Sequence, residues 1–131
     1  MTPHLVFDGQ CEEAFRFYAH LFAAEAPTLL SYGESPMEVP AEQRHRIVHG
    51  SVILKGRMLA GADAMAGQYE RPTGFFLLMP LDSLDEAERV FAALAEGGEV
   101  KLPLQGTFWS PCFGVVIDRF GVPWEITIAG A

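Results

Sequence analysis

The sequence is poor in cysteine, in basic charge and in long apolar runs. Two cysteines, Cys11 and Cys112, stand far apart in 131 residues and share no ligand-like spacing, which excludes a disulfide framework and a clustered zinc site. Nine Lys and Arg face seventeen Asp and Glu, for a formal net charge of −8. Such a surface repels phosphate backbones and anionic headgroups, so neither nucleic acid nor a membrane is expected as a partner. The longest apolar stretch, "GFFLLMPL" from Gly74 to Leu81, is far shorter than the roughly 20 residues that span a bilayer. The start, "MTPHLVFDG", lacks a basic segment leading into an apolar one and a small-residue cleavage site, so a cytoplasmic location is expected. No G-x-G-x-x-G turn occurs; no nucleotide cofactor is expected, and a methyltransferase of the Rossmann type is disfavoured.

What the chain does have is an apolar fraction of 50%, enough to build the core of a single domain, and an internal repeat. "EAFRFYAHL" (Glu13 to Leu21) aligns without gaps on "EAERVFAAL" (Glu86 to Leu94). Ala14, Phe17, Tyr18 and Leu21 in the first segment, and Ala87, Val90, Phe91 and Leu94 in the second, recur at i, i+3, i+4, i+7 and predict two amphipathic helices. Ser83 and Glu86 are expected to form a capping box for the second helix, and Asp8 to be the cap or pre-cap residue of the first. Cys11, at the start of that helix, reads as a small buried thiol rather than an activated one. A strand-like run precedes each helix, "HLVFD" and "FFLLMPL". Three follow each: "APTLLSY", "RIVHGSVILKG" and "RMLAGAD", then "EVKLPLQ", "FWSPCFGVVID" and "VPWEITI". The chain thus predicts two βαβββ modules, at about residues 1–66 and 72–131. Loops are expected from Gly33 to His45 and from Ala64 to Thr73.

With its segments "PHLVFDGQCEEAFRFY", "IVHGSVILKGRMLAGAD", "ALAEGG", "TFW" and "DRFGVPWEI", this doubled module resembles the vicinal oxygen chelate superfamily of glyoxalase I, extradiol dioxygenases and bleomycin-resistance proteins, and within it the PhnB-like branch. The resemblance implies an α+β, glyoxalase-like fold of two curled mixed sheets, a cleft enclosed by paired modules, and a symmetric homodimer. In metal-dependent relatives, four ligands come from the first and fourth strands of the modules. Glu125, four residues after Gly121, matches the ligand glutamate that follows a D-x-x-G turn, and His4 matches the first-strand ligand. The other two positions hold Phe76 and either Ala60 or Gly61, which offer no donor. The resemblance therefore implies an incomplete site at His4 and Glu125 for nickel, zinc, manganese or iron, acting as a Lewis acid.

Strand alternation gives the same orientation without the resemblance. Trp124, Ile126 and Ile128 should face the helix, which turns Glu125 and Thr127 into the cleft. A carboxylate in an apolar run is thereby kept out of the core, where its desolvation would be costly. Likewise Leu5 and Phe7 should pack on the first helix and leave His4 and Val6 facing the cleft. His49 and Asp63 are expected opposite each other across a hairpin centred on Gly56, as a metal ligand with the carboxylate that orients it, as a general acid–base pair, or as a structural hydrogen bond closing the hairpin. Trp109 and Phe108 read as cleft walls that stack on a planar ligand or as ordinary core aromatics, and Phe76 as a cleft wall beside Trp109. Tyr32 is a further pocket candidate. Asp118 and Arg119 should cap the turn into Gly121, with Arg119 available to an anionic ligand.

Two functions follow. One is a metal-dependent lyase, isomerase or dioxygenase. The other is a non-catalytic protein of the bleomycin-resistance type, which sequesters a small cationic or aromatic molecule.

Overall fold

Both predicted repeats of strand, helix and three strands are present in the computed structural model, which describes residues 1–128. The first holds β1 (His4–Phe7), α1 (Cys11–Leu21), β2 (Thr28–Ser31), β3 (Ile47–Leu54) and β4 (Arg57–Asp63). The second holds β5 (Leu77–Leu81), α2 (Leu84–Ala95), β6 (Glu99–Gln105), β7 (Phe113–Ile117) and β8 (Pro123–Ile128). Each module makes its own mixed sheet, with strand orders β1-β4-β3-β2 and β5-β8-β7-β6. The first strand of each pairs in parallel with the last, and the remaining pairs are antiparallel. This is an α+β architecture. The chain divides into one compact unit over residues 1–70 and a second from residue 71 onward. No helix among the described residues is long and apolar enough to cross a membrane.

Helix α2 buries the expected Ala87, Val90, Phe91 and Leu94 against its sheet. Ser83 Oγ accepts the Glu86 N–H at 3.1 Å, which satisfies one of the helix's orphan donors, while Glu86 Oε1 reaches back to the Asp82 N–H, just before the cap, at 3.0 Å. The buried face of α1 is rotated from the expected one. Cys11, Ala14, Phe15, Tyr18, Ala19 and Leu21 are buried, whereas Phe17 is only half-buried. Glycine explains the rotation: a Cβ at Gly61 would lie 2.8 Å from Phe15 Cζ, so the bare backbone admits this ring onto the sheet.

Asp8 does not cap α1. Its Oδ1 lies 3.4 Å from Arg46 Nη1, and the helix starts from Gln10 without a side-chain cap. The capping role falls to Asp63, at the end of β4, whose Oδ1 accepts the Cys11 N–H at 3.0 Å and whose Oδ2 accepts the Ile47 N–H at 2.8 Å. Parallel pairing of Phe7 with Asp63 brings this carboxylate to the point where the chain leaves β1 for the helix. There its charge also complements the helix dipole.

Candidate functional site

Along β8, Trp124 and Ile126 are buried, while Glu125 and Thr127 are half-buried on the opposite face. These two line a cleft of about 490 Å³ in module two. Register supplies much of its wall. Leu78 of β5 sits beside Glu125, and Phe113 of β7 sits opposite Thr127. Trp109, Ser110 and Ile128 complete the lining.

Trp109 is in the loop before β7 rather than on a strand. Its ring meets Phe113 in a T-shaped contact at 5.4 Å, and Phe108 meets it at 4.7 Å. Hydrogen bonds between Thr107 and Ser110 close this loop: Thr107 N–H donates to the Ser110 carbonyl at 2.8 Å, and Ser110 N–H donates to Thr107 Oγ1 at 3.1 Å. Ser110 Oγ then donates to the Cys112 carbonyl at 2.8 Å, accepts the Cys112 N–H at 3.2 Å, and lies 2.9 Å from Thr127 Oγ1. The Glu125 carboxylate makes no hydrogen bond or ion pair among the described residues. A half-buried carboxylate without a partner, set among aromatic and aliphatic walls, is a binding element in search of a complement.

Other expected site residues lie elsewhere. Asp63 and His49 do not pair, because they occupy opposite faces of sheet one. Asp63 is 4% exposed and shares its inward face with Leu59 and Gly61, while His49 is exposed on the other face. A register shift between Leu30 and Ser31 matches them to His49 and Ile47, so Val48 is the extra residue of a bulge. The irregularity turns Ile47 inward to meet Asp63. Phe76 precedes β5, is 45% exposed and is not part of the cleft lining; Leu78 takes the wall position that was expected of it.

Arg119 belongs to the β7–β8 turn, its guanidinium 4.4 Å over the Phe120 ring. That turn is at the far end of the hairpin from Thr127, so Arg119 does not line the cleft. Asp118 does organise the turn as expected: Oδ1 accepts the Phe120 and Val122 N–H groups at 2.9 and 3.0 Å, and Oδ2 accepts Trp124 Nε1–H at 2.9 Å. Tyr32 opens a short 3-10 turn, and His20 and His45 are exposed. Leu78, Ser110 and Phe113 escaped the sequence reading, and Ile128, expected to face the helix, is half-buried and lines the cleft instead. Of these, Phe113 was the one in phase, since residues two apart on β7 share a face.

His4 is exposed on the face away from buried Leu5 and Phe7, as expected, but its partner in register is Ala60. Glu125 is flanked by Leu78 and Val115. His4 and Glu125 thus each stand beside side chains that cannot ligate, and the other imidazole on the face of His4, His49, is two strands away. A divalent ion needs about three or four donors, so the residues of neither module fit one, and no step is routed through a metal.

Both cysteines are free and buried. Burial first, then the charges of Asp63 and Glu12, push the Cys11 thiol up to about 12. Burial, with a smaller contribution from Glu88, raises that of Cys112 as well. Neither is an activated nucleophile.

Comparison with known proteins adds relatives to this geometry. The family described as 3-demethylubiquinone-9 3-methyltransferase matches residues 1–127. Protein YjdN of Escherichia coli strain K12 is 31% identical, over 98% of this chain and 94% of its own. The crystal structure of protein PA1353 from Pseudomonas aeruginosa is 38% identical, covers 98% of this chain and 96% of its own, and superposes with a TM-score of 0.89. A putative 3-demethylubiquinone-9 3-methyltransferase, PhnB protein, from Bacillus cereus is 26% identical over 98% of each chain, with a TM-score of 0.80. The fold is also that of glyoxalase-related and fosfomycin-resistance proteins.

Proposed function

For a chain that belongs to the family described as 3-demethylubiquinone-9 3-methyltransferase, and that is PhnB-like within the vicinal oxygen chelate fold, we propose a cytoplasmic homodimer that binds and sequesters a small organic molecule. One observation carries this reading: Glu125 stands unpartnered among the described residues in a cleft of about 490 Å³ whose walls are Leu78, Trp109, Phe113 and Ile128. Few polar groups in a mostly apolar concavity are what a small-molecule site requires. The family description names a methyl transfer. Strand orders β1-β4-β3-β2 and β5-β8-β7-β6 are not the alternating βα sheet in which a Rossmann-type methyltransferase builds its crevice, and the proposal rests on the cleft instead.

A thermal-shift screen against the wild type, Glu125→Ala and Trp109→Ala tests the reading. Compounds that raise the Tm of the wild type but of neither variant support it; hits that both variants retain would move binding elsewhere. Nickel, zinc, manganese and iron(II) titrations of untagged protein are the companion measurement. Stoichiometric binding abolished by Glu125→Ala would replace sequestration with metal-dependent chemistry. Exposed Val6, Leu30, Ile53 and Met58 on sheet one support the dimer, which sedimentation velocity decides.

A further inference from the structure

The hydroxyl pair on the cleft floor has a fixed direction. Ser110 owns one hydroxyl proton. Its Oγ is 2.8 Å from the Cys112 carbonyl oxygen, which only accepts, so that contact holds the proton. A lone pair of the same Oγ takes the Cys112 N–H at 3.2 Å. The 2.9 Å contact with Thr127 Oγ1 then has one arrangement left: Thr127 donates and Ser110 accepts. What Thr127 turns towards the cleft is lone pairs alone.

Glu125, as a carboxylate, also accepts only. The two residues share one face of β8, spaced by about 7 Å at the usual rise of an extended strand. An anion would meet two acceptors there and no hydroxyl proton, and a neutral acceptor would fare little better. Above them, the Trp109 and Phe113 rings lie 5.4 Å apart with an interplanar angle of 71°, and aromatic faces attract cations. The net charge of −8 draws in any cation, whereas the paired acceptors reward only one that brings N–H groups.

We infer that the cleft's ligand is an organic cation with N–H donors, such as a protonated amine, amidine or guanidine, joined to a flat apolar body. This rests on the small-molecule reading of the same cleft and narrows it to a chemical class.

Tryptamine, its N,N,N-trimethyl analogue and indole-3-propionate share a ring and differ in head group; benzylamine, benzyltrimethylammonium and phenylacetate repeat the series on a smaller body. Each is titrated into the ¹⁵N-labelled full chain while the Glu125 and Thr127 amides and the Trp109 indole N–H are followed by NMR. The amines should bind about ten-fold tighter than the quaternary cations, and the carboxylates should leave these signals unmoved. Glu125→Gln should weaken both kinds of cation. Thr127→Val, a near-isosteric change, should narrow the gap between them, with thermal melts reporting whether either variant remains folded. Equal affinity for amines and quaternary cations, or carboxylates that move the same signals as strongly, overturns the inference and leaves the small-molecule reading standing. The same holds if only neutral compounds move them. If no compound of any charge in a general screen moves these signals, both fall.

Discussion

Replacing Asp63 by alanine should destabilise the protein by about 4 kcal/mol while leaving ligand binding at the module-two cleft intact. The carboxylate is 4% exposed and accepts two backbone N–H groups, from Cys11 at 3.0 Å and from Ile47 at 2.8 Å. Each buried donor left without a partner costs about 1–3 kcal/mol, and the lost charge at the start of α1 adds about 0.3–1 kcal/mol. The total is a large share of the ~5–15 kcal/mol by which a domain of this kind is stable. Asp63→Asn should cost about half as much, because the amide keeps one acceptor oxygen but points an NH₂ at the other donor. It also removes a charge that holds the Cys11 thiol up, so that thiol should ionise at lower pH in the variant. Urea unfolding followed by far-UV circular dichroism measures the stability, with an unchanged m-value as the check that the unfolded state is unaltered. If Asp63→Asn kept the wild-type midpoint but abolished ligand binding, the structural assignment would be refuted and Asp63 would return to the chemistry.

Two further outcomes are expected. In Gly114→Ala, the added Cβ would stand 2.8 Å from Phe91 Cε2, 2.9 Å from Leu104 Cδ2 and 3.2 Å from the Leu102 carbonyl; overpacking should cost about 1–3 kcal/mol, and Phe91→Leu in the same chain should return part of the loss in a double-mutant cycle. Burial lifts the Cys11 thiol from 9.0 to about 12, so folding favours the protonated form: stability is intact below pH 9 and falls as pH climbs towards 12, by up to about 1.4 kcal/mol per unit. Urea midpoints taken up that range should decline less steeply for Cys11→Ser, and an equal decline would show that other groups cause it.

The helix-facing half of this molecule was legible in its sequence, and the cleft-facing half was so only where period two survives. Ala87, Val90, Phe91 and Leu94 could be named because a packed helix face must repeat at 3.6 residues. The face of α1 turned towards Phe15 through the absence of a Cβ at Gly61, a tertiary fact that periodicity does not carry. Glu125 and Thr127 could be oriented because Trp124 and Ile126 between and beside them are apolar. His49 and Asp63 were misplaced because the turn pairs Leu54 with Arg57 rather than being centred on Gly56, a shift of one step in register that puts the two on opposite faces. Phe76 was misplaced because β5 begins at Leu77, so that the wall position falls to Leu78.

Register then shows what the repeat has kept and what it has not. His4 pairs with Ala60 in module one, and Leu78 pairs with Glu125 in module two, so corresponding sites hold a donor on the first strand in one copy and on the last strand in the other. Each helix face must satisfy the same packing geometry, and the two copies resemble each other there. No such constraint acts on the faces turned to the clefts. There the copies part, leaving a carboxylate beside a hydroxyl hydrogen-bonded to Ser110 in one module and the His4 imidazole beside alanine in the other. The chemistry of this protein therefore has to be read from those departures rather than from the duplication that reveals its fold.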